Sequence, residues 1–292
     1  MRRGLLPLNI GLLTLLITEG GSIIPAVFTA TIFDLARRGF LKIRDERKVK
    51  SGFFGAKISY QSTLIKNPNP QDQLKDYEKK VLSLLFKTTS HDTDELPFEK
   101  IKKWMRDNPF EFQNWFREFE SKIKKAGAAL GFLEKEGKEK MKKFWLVTII
   151  LFILTLNFPL LILALFLIPR LKRRKYEWAK KEQLWHRFKN FLNDFSNFKE
   201  LPPQALILWD QYLVYGVLFG VADKILKALP AILAQPQALH PTWYIAAESQ
   251  TFNAADVSLL THGLSNLTSS LTSSTTTAAH FSSGGGGGGG AS

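Results

Sequence analysis

The 292-residue chain contains no cysteine. That excludes disulfides, thiolate metal sites and cysteine nucleophiles, and it leaves the redox compartment unreadable. Histidine is sparse: His91, His186, His240, His262 and His280 are scattered, without the spacing of a metal-binding pair. Also missing are the phosphate-cradling P-loop, the glycine fingerprint of a dinucleotide fold, the paired-histidine zinc helix and the nucleophile elbow. Asp92, Asp94 and Glu95 form an acidic group, but in a polar loop ahead of a helix, where carboxylates suit the positive helix end. No enzyme site, cofactor or metal is expected. Lysine and arginine, finally, are absent after Lys227, although the whole chain carries a formal charge of +14.

What the chain does have is one uncharged stretch, residues 144–168, FWLVTIILFILTLNFPLLILALFLI. At about 1.5 Å per residue, roughly 25 residues make about 37 Å of helix, enough for a hydrocarbon core of about 30 Å. It is read as membrane-embedded. Lys135, Lys138, Lys140, Lys142 and Lys143 precede it, and Arg170, Lys172, Arg173, Arg174 and Lys175 follow. Matched basic flanks give a single span no preferred direction and suit a hairpin with both ends on one side. Asn157, Phe158 and Pro159 mark where such a hairpin turns. Each half is then too short to cross, so the hairpin is re-entrant. Residues alone leave the Pro-kinked span and the hairpin open.

Taken in order, the start imitates a signal peptide with Arg2 and Arg3 before an apolar run, but Pro7, Asn9 and Gly11 interrupt it and no small-residue cleavage site follows. Residues 24–38 have helical apolar spacing through Ile24, Val27, Ile32, Leu35 and Ala36, closed by Gly39 as a C-cap. Phe40 to Arg44 alternate as a strand, and a charged turn through Gly55 leads to a second run, 56–65. A helix, a glycine and a basic hairpin make a winged-helix-like unit over 1–66. Helical segments follow in 67–143, and Leu130-Gly131-Phe132-Leu133 echoes the residues around Gly39, which leaves open a second winged-helix-like unit there or no more than a shared helix-to-strand turn.

After the apolar stretch, 169–234 reads as amphipathic cytoplasmic helices. Trp178, Leu184, Trp185, Phe188, Phe191, Leu192 and Phe195 form an aromatic stripe, read as core packing with a membrane-interface helix as the alternative. Gly216 and Gly220 have the small-xxx-small spacing that lets helices approach, and are candidate helix-packing residues. Residues 235–292, rich in Ser and Thr and ending in Gly284–Gly290, are expected to be disordered.

The candidate contact surface is basic: Arg37, Arg38, Lys42, Arg44, Arg47, Lys48 and Lys50 cluster at the helix end and hairpin. A DNA-reading helix needs an exposed polar face. The helix over 24–38 has only threonines and Asp34 before Arg37, so protein or lipid contact is favoured over DNA.

These residues, in this order, resemble the C-terminal half of the YciQ-like predicted membrane proteins, a bacterial family of unknown function. The carriers are Ala30-Thr31-Ile32-Phe33-Asp34-Leu35-Ala36-Arg37-Arg38-Gly39-Phe40-Leu41-Lys42-Ile43, Tyr77 to Leu82, Trp185 with Phe188 to Leu192 and Asp194-Phe195-Ser196, the run from Leu208-Trp209-Asp210 to Gly220-Val221, and the Ser-then-Gly tail. The resemblance implies winged-helix-like cytoplasmic units interrupted by a short membrane hairpin. It also implies a signal segment and an extracytoplasmic β-rich domain that this sequence lacks, as a truncated or split form would. The resulting expectation is a mainly α membrane protein with winged-helix-like α+β units, in the bacterial inner membrane, with its soluble parts mostly cytoplasmic. Its expected role is non-enzymatic, an interaction or scaffold module touching anionic lipid headgroups and a protein partner. The alternative is a membrane-tethered winged-helix DNA-binding regulator.

Overall fold

The computed structural model describes residues 9–18, 23–52, 55–68, 72–90, 93–129, 131, 135–155, 158–167, 176–197, 203–234, 241–246 and 254–280. Helix α1 (Ile10–Ile17) is the apolar run that imitates a signal segment, and here Leu12, Leu13, Leu15 and Leu16 are all buried in the core. Helix α2 (Ala26–Arg37) follows and ends at Gly39, whose φ of 82° takes the left-handed turn that a side chain resists. Phe40 N donates to Leu35 O at 2.9 Å and Gly39 N to Ala36 O at 2.9 Å, the paired bonds of a Schellman cap. That cap aims the chain into β1 (Leu41–Gly52), which pairs antiparallel with β2 (Gly55–Lys66) from Leu41↔Lys66 to Gly52↔Gly55. The helix, the glycine and a hairpin are therefore present, but residues 45–52, expected as part of a charged turn, continue strand β1.

Helix α3 (Asp76–Ser83) runs into a wider turn of π type at Leu84–Thr89, then β3 (Glu95–Pro97), α4 (Phe98–Asp107) and α5 (Pro109–Ala129). Gly131 has φ 64°, so the echo of Gly39 is real as a helix-ending turn. It does not lead to a second hairpin. The chain continues instead as α6 (Lys135–Thr155), because the apolar run from Phe144 has no alternation to support a strand. The only strand in 67–143 among the described residues, β3, adds to the first sheet, so the second winged-helix-like unit is corrected.

Beyond α7 (Phe158–Leu167) come α8 (Tyr176–Asn193), α9 (Pro203–Phe219) and α10 (Ala222–Leu233). The aromatic stripe of α8 packs on α9: Trp185 lies 4.9 Å from Tyr215 and Phe188 5.5 Å from Tyr212, ring centre to ring centre. Short strand β4 (Tyr244–Ala246) runs parallel to β1, giving the sheet order β3-β2-β1-β4. One hydrophobic core takes side chains from both sides of the apolar stretch, including Phe28, Ile32, Phe112 and Phe119 before it and Trp209, Leu213, Ile225 and Leu229 after it.

The disordered tail expected from residue 235 is corrected over α11 (Ala254–Ala279), a helix of 26 residues. It packs on α10, α2, α4, α5 and the sheet. Leu260, Leu264, Leu267, Leu271, Thr275 and Ala278 recur three or four apart and are buried. Burying leucines at about 2 kcal/mol each offsets the poor helix propensity of Ser and Thr. Hydroxyls that would compete for the backbone bond back within the helix, as Thr261 Oγ1 does to Val257 O and Thr276 Oγ1 to Thr272 O, each at 2.8 Å. The glycine run lies outside the described residues.

Candidate functional site

The apolar stretch forms two helices, α6 and α7; residues 156–157, which include the Asn157 expected at the hairpin turn, lie outside the described residues. Pro159 falls in the first turn of α7, where its missing amide hydrogen is not needed. The apolar part of α6, residues 144–155, is about 18 Å long and α7 about 15 Å, each about half of a hydrocarbon core. No helix among the described residues is long and apolar enough to cross a membrane.

The two helices fold on each other. The Phe152 and Phe158 rings meet edge to face at 5.3 Å. Thr148 and Ala164, equidistant from the break, are both buried while their neighbours are exposed, as facing small residues in a folded-back pair would be. Thr148 Oγ1 donates to Phe144 O at 2.8 Å, so burial leaves no hydroxyl unsatisfied. Around this seam lies bare apolar surface. Leu146, Ile149, Ile153, Ile162, Leu163 and Leu165 are among the large side chains left 48–67% exposed. A contiguous patch of this kind on a water-soluble surface would drive association. Lys142 and Lys143, at the base of the pair, are exposed; Arg170, Lys172, Arg173, Arg174 and Lys175 lie outside the described residues.

Of the seven basic residues expected to form a surface at the helix end and hairpin, Arg37, Arg38 and Arg44 are tied up within the chain. Arg38 is a structural hub: Nη1 donates to Glu78 Oε1 at 2.8 Å, Nε to Asp72 Oδ2 at 2.7 Å and Nη2 to the Gln73 carbonyl at 2.8 Å. Its guanidinium also lies 5.1 Å from the Phe40 ring centre. Burial alone would pull Arg38 down, but the bonds to Asp72 and Glu78 and the nearby Asp34 charge outweigh it and hold it charged, above its ordinary value. Arg37 pairs with Asp34 at 2.9 Å, and Arg44 pairs with Glu95 at 2.7 Å and Glu46 at 3.2 Å. Lys42 is exposed, and the side chains of Arg47, Lys48 and Lys50 lie outside the described residues. Moreover, every residue of α2 from Val27 to Ala36 is buried, which leaves that helix no face for reading bases.

Of the two candidate packing glycines, the structure separates the roles. A Cβ on Gly216 would lie 2.3 Å from Ile225 Cδ1 and 3.2 Å from the Ala222 Cα, so Gly216 does admit α10 against α9. Gly220 is corrected: its φ is 73° and nothing lies within 4 Å of an added Cβ. It caps α9, with Val221 N donating to Gly216 O at 2.8 Å, and its positive φ turns the chain into α10.

Sequence reasoning missed three polar positions. Glu78 is buried beneath Arg38 and also accepts from Asn9 Nδ2 at 3.2 Å and Lys75 N at 2.9 Å. Asp210, on α9, has its carboxyl pushed up by burial, with the Arg37 charge among the groups opposing that shift, and Asp34, Arg37, Arg38 and Glu78 form one ion-pair cluster joining α2 and α3. Three of these five belong to the run 30–43 that carries the resemblance. Asp45, in the middle of β1, is fully buried, and neither carboxylate oxygen has a hydrogen-bond partner in good geometry. Burial raises its pKa to about 6, with the nearby Ser62 and Tyr244 hydroxyls pulling the other way. No group of three or more His, Asp or Glu suited to a metal ion occurs among the described residues.

A mainly helical core and a pair of helices with bare apolar surface are what a membrane protein would present. The family comparison agrees: the chain belongs to the DUF2207 family of predicted membrane proteins, whose C-terminal domain matches residues 12–229. No curated protein and no solved structure matches. The matched span stops inside α10, so β4 and α11 lie beyond it.

Proposed function

We propose that the chain is a non-enzymatic module of the bacterial inner membrane, held on the cytoplasmic face by a re-entrant α6–α7 hairpin and acting as an interaction or scaffold unit. One observation carries the topology. Helices before the stretch, α1, α2 and α5, share a core with α8, α9 and α10 after it. A single span would put those two halves on opposite sides of the bilayer and split that core. A hairpin returns the chain to the side it left, and its length suits one leaflet. Lys142 and Lys143 at its base, with the basic residues that follow it, favour anionic headgroups.

The scaffold reading is supported by how charge is used. Arg38 ties α2 to α3 through Glu78, and the α2–β1–β2 segment works as a winged-helix-like packing unit. The buried α2 argues against the tethered DNA regulator. A protein partner remains the expected ligand of the cytoplasmic body.

Membrane fractions washed with high salt and then with alkaline carbonate test this reading. The hairpin keeps the protein in the pellet through both washes until detergent is added. Release by either wash alone overturns it.

A further inference from the structure

Asp45 and Gly263 meet where α11 crosses the sheet. The Asp45 side chain is fully buried, the Ser62 and Tyr244 hydroxyls beside it are not in good hydrogen-bond geometry, and a Cβ built on Gly263 would lie 1.8 Å from Asp45 Oδ2. Only glycine lets α11 lie this close, and its Cα hydrogen points at the carboxylate. The groups facing Asp45 are few. From β2 comes Ser62, from β4 Tyr244, and from α11 the Gly263 backbone; no charged group among the described residues offsets its charge. Arg44 and Glu46, its neighbours on β1, alternate to the opposite face of the strand. The ionisable residue beside Gly263 is His262, which is exposed.

α11 also has little intrinsic helix propensity. It is rich in Ser and Thr, lies beyond the family-matched span, and is held by tertiary packing rather than by propensity. Closed, it seals the carboxylate from water; lifted, it lets water in to solvate the charged form.

We propose that the Asp45–Gly263 contact is a proton-operated latch, with α11 closed over the sheet when Asp45 is protonated and loosened when Asp45 ionises. The pKa near 6 places the switch between mildly acidic and neutral pH. With an ordinary carboxylate near 4 in the open state, the closed fraction relative to open changes by about tenfold between pH 5 and pH 7.5.

Hydrogen exchange on the full-length protein in detergent micelles, corrected for intrinsic rates, reads this directly. Protection of residues 254–279 in the unsubstituted protein is expected to fall about tenfold from pH 5 to pH 7.5. Asp45→Asn, which keeps the shape without the charge, is expected to stay protected at both. Gly263→Ala, which forces α11 away, is expected to be unprotected at both, and His262→Gln to behave like the parent. A pH-independent parent, or a pH response that survives Asp45→Asn and disappears in His262→Gln, overturns the proposal.

Discussion

Arg38 and Glu78 are 40 residues apart in sequence, yet Arg38 Nη1 donates to Glu78 Oε1 at 2.8 Å in a site where the Glu78 side chain is only 2% exposed. Removing one partner of such a pair leaves a buried charge alone. Arg38→Ala is therefore expected to destabilise the fold by about 3 kcal/mol, and Arg38→Lys to recover little because an ammonium cannot reach Glu78, Asp72 and the Gln73 carbonyl together. Arg44→Ala, at a solvent-exposed pair, is expected to cost about 1 kcal/mol or less. Thermal unfolding in detergent would rank the three; equal costs for Arg38→Ala and Arg44→Ala would contradict the hub.

The α9–α10 corner gives a second contrast. Gly216→Ala pushes a methyl group into Ile225 Cδ1 and is expected to cost about 2 kcal/mol. Ile225→Val removes that δ-methyl, so the double variant should be less destabilised than the two single effects summed. Gly220→Ala has open space and pays only for its positive φ, about 1 kcal/mol. Its deficit should not respond to Ile225→Val.

Asp45 predicts a pH dependence with a definite sign. Its folded pKa, about 6, lies above its ordinary 3.8, so its favourable contribution is complete below about pH 4 and disappears as pH rises through 6. Asp45→Asn should match the parent near pH 4 and exceed it above pH 7, by at most about 3 kcal/mol for a shift of about two units. Denaturant midpoints at the two pH values measure this; an Asn variant less stable at pH 8 contradicts it.

Much of this architecture was legible from the residues. Helical apolar spacing placed α2 to within a few residues, the aromatic stripe marked the face on which α8 packs, and Gly39 announced the turn into the hairpin. Two features were hidden for physical reasons. In α11 the Leu260, Leu264, Leu267 and Leu271 spacing was present, but Ser and Thr dominated the composition, and the helix exists only because a core receives those leucines. In the basic cluster, Arg38 and Arg44 read as a free surface because their carboxylate partners, Glu78 and Glu95, come from distant elements that spacing along the chain cannot bring together.

The hairpin should respond to charge placed on its exposed surface. Ile150→Asp or Leu163→Asp, each at a side chain about half exposed, puts a carboxylate where lipid is expected, at about 3 kcal/mol. Membrane retention through carbonate washing should drop for both, while Lys142→Ala weakens binding only at low salt. Unchanged retention in both Asp variants would remove lipid from the account.

Topology is the most direct test, and the absence of cysteine makes it clean. Single cysteines at Gln73, before the hairpin, and Ser265, after it, would be probed in intact cells with a membrane-impermeant thiol reagent, then again after permeabilisation. The account predicts that both sites are protected in intact cells and both labelled once the membrane is opened. Labelling of one site but not the other in intact cells would place the two halves of the core on opposite sides of the membrane and contradict it.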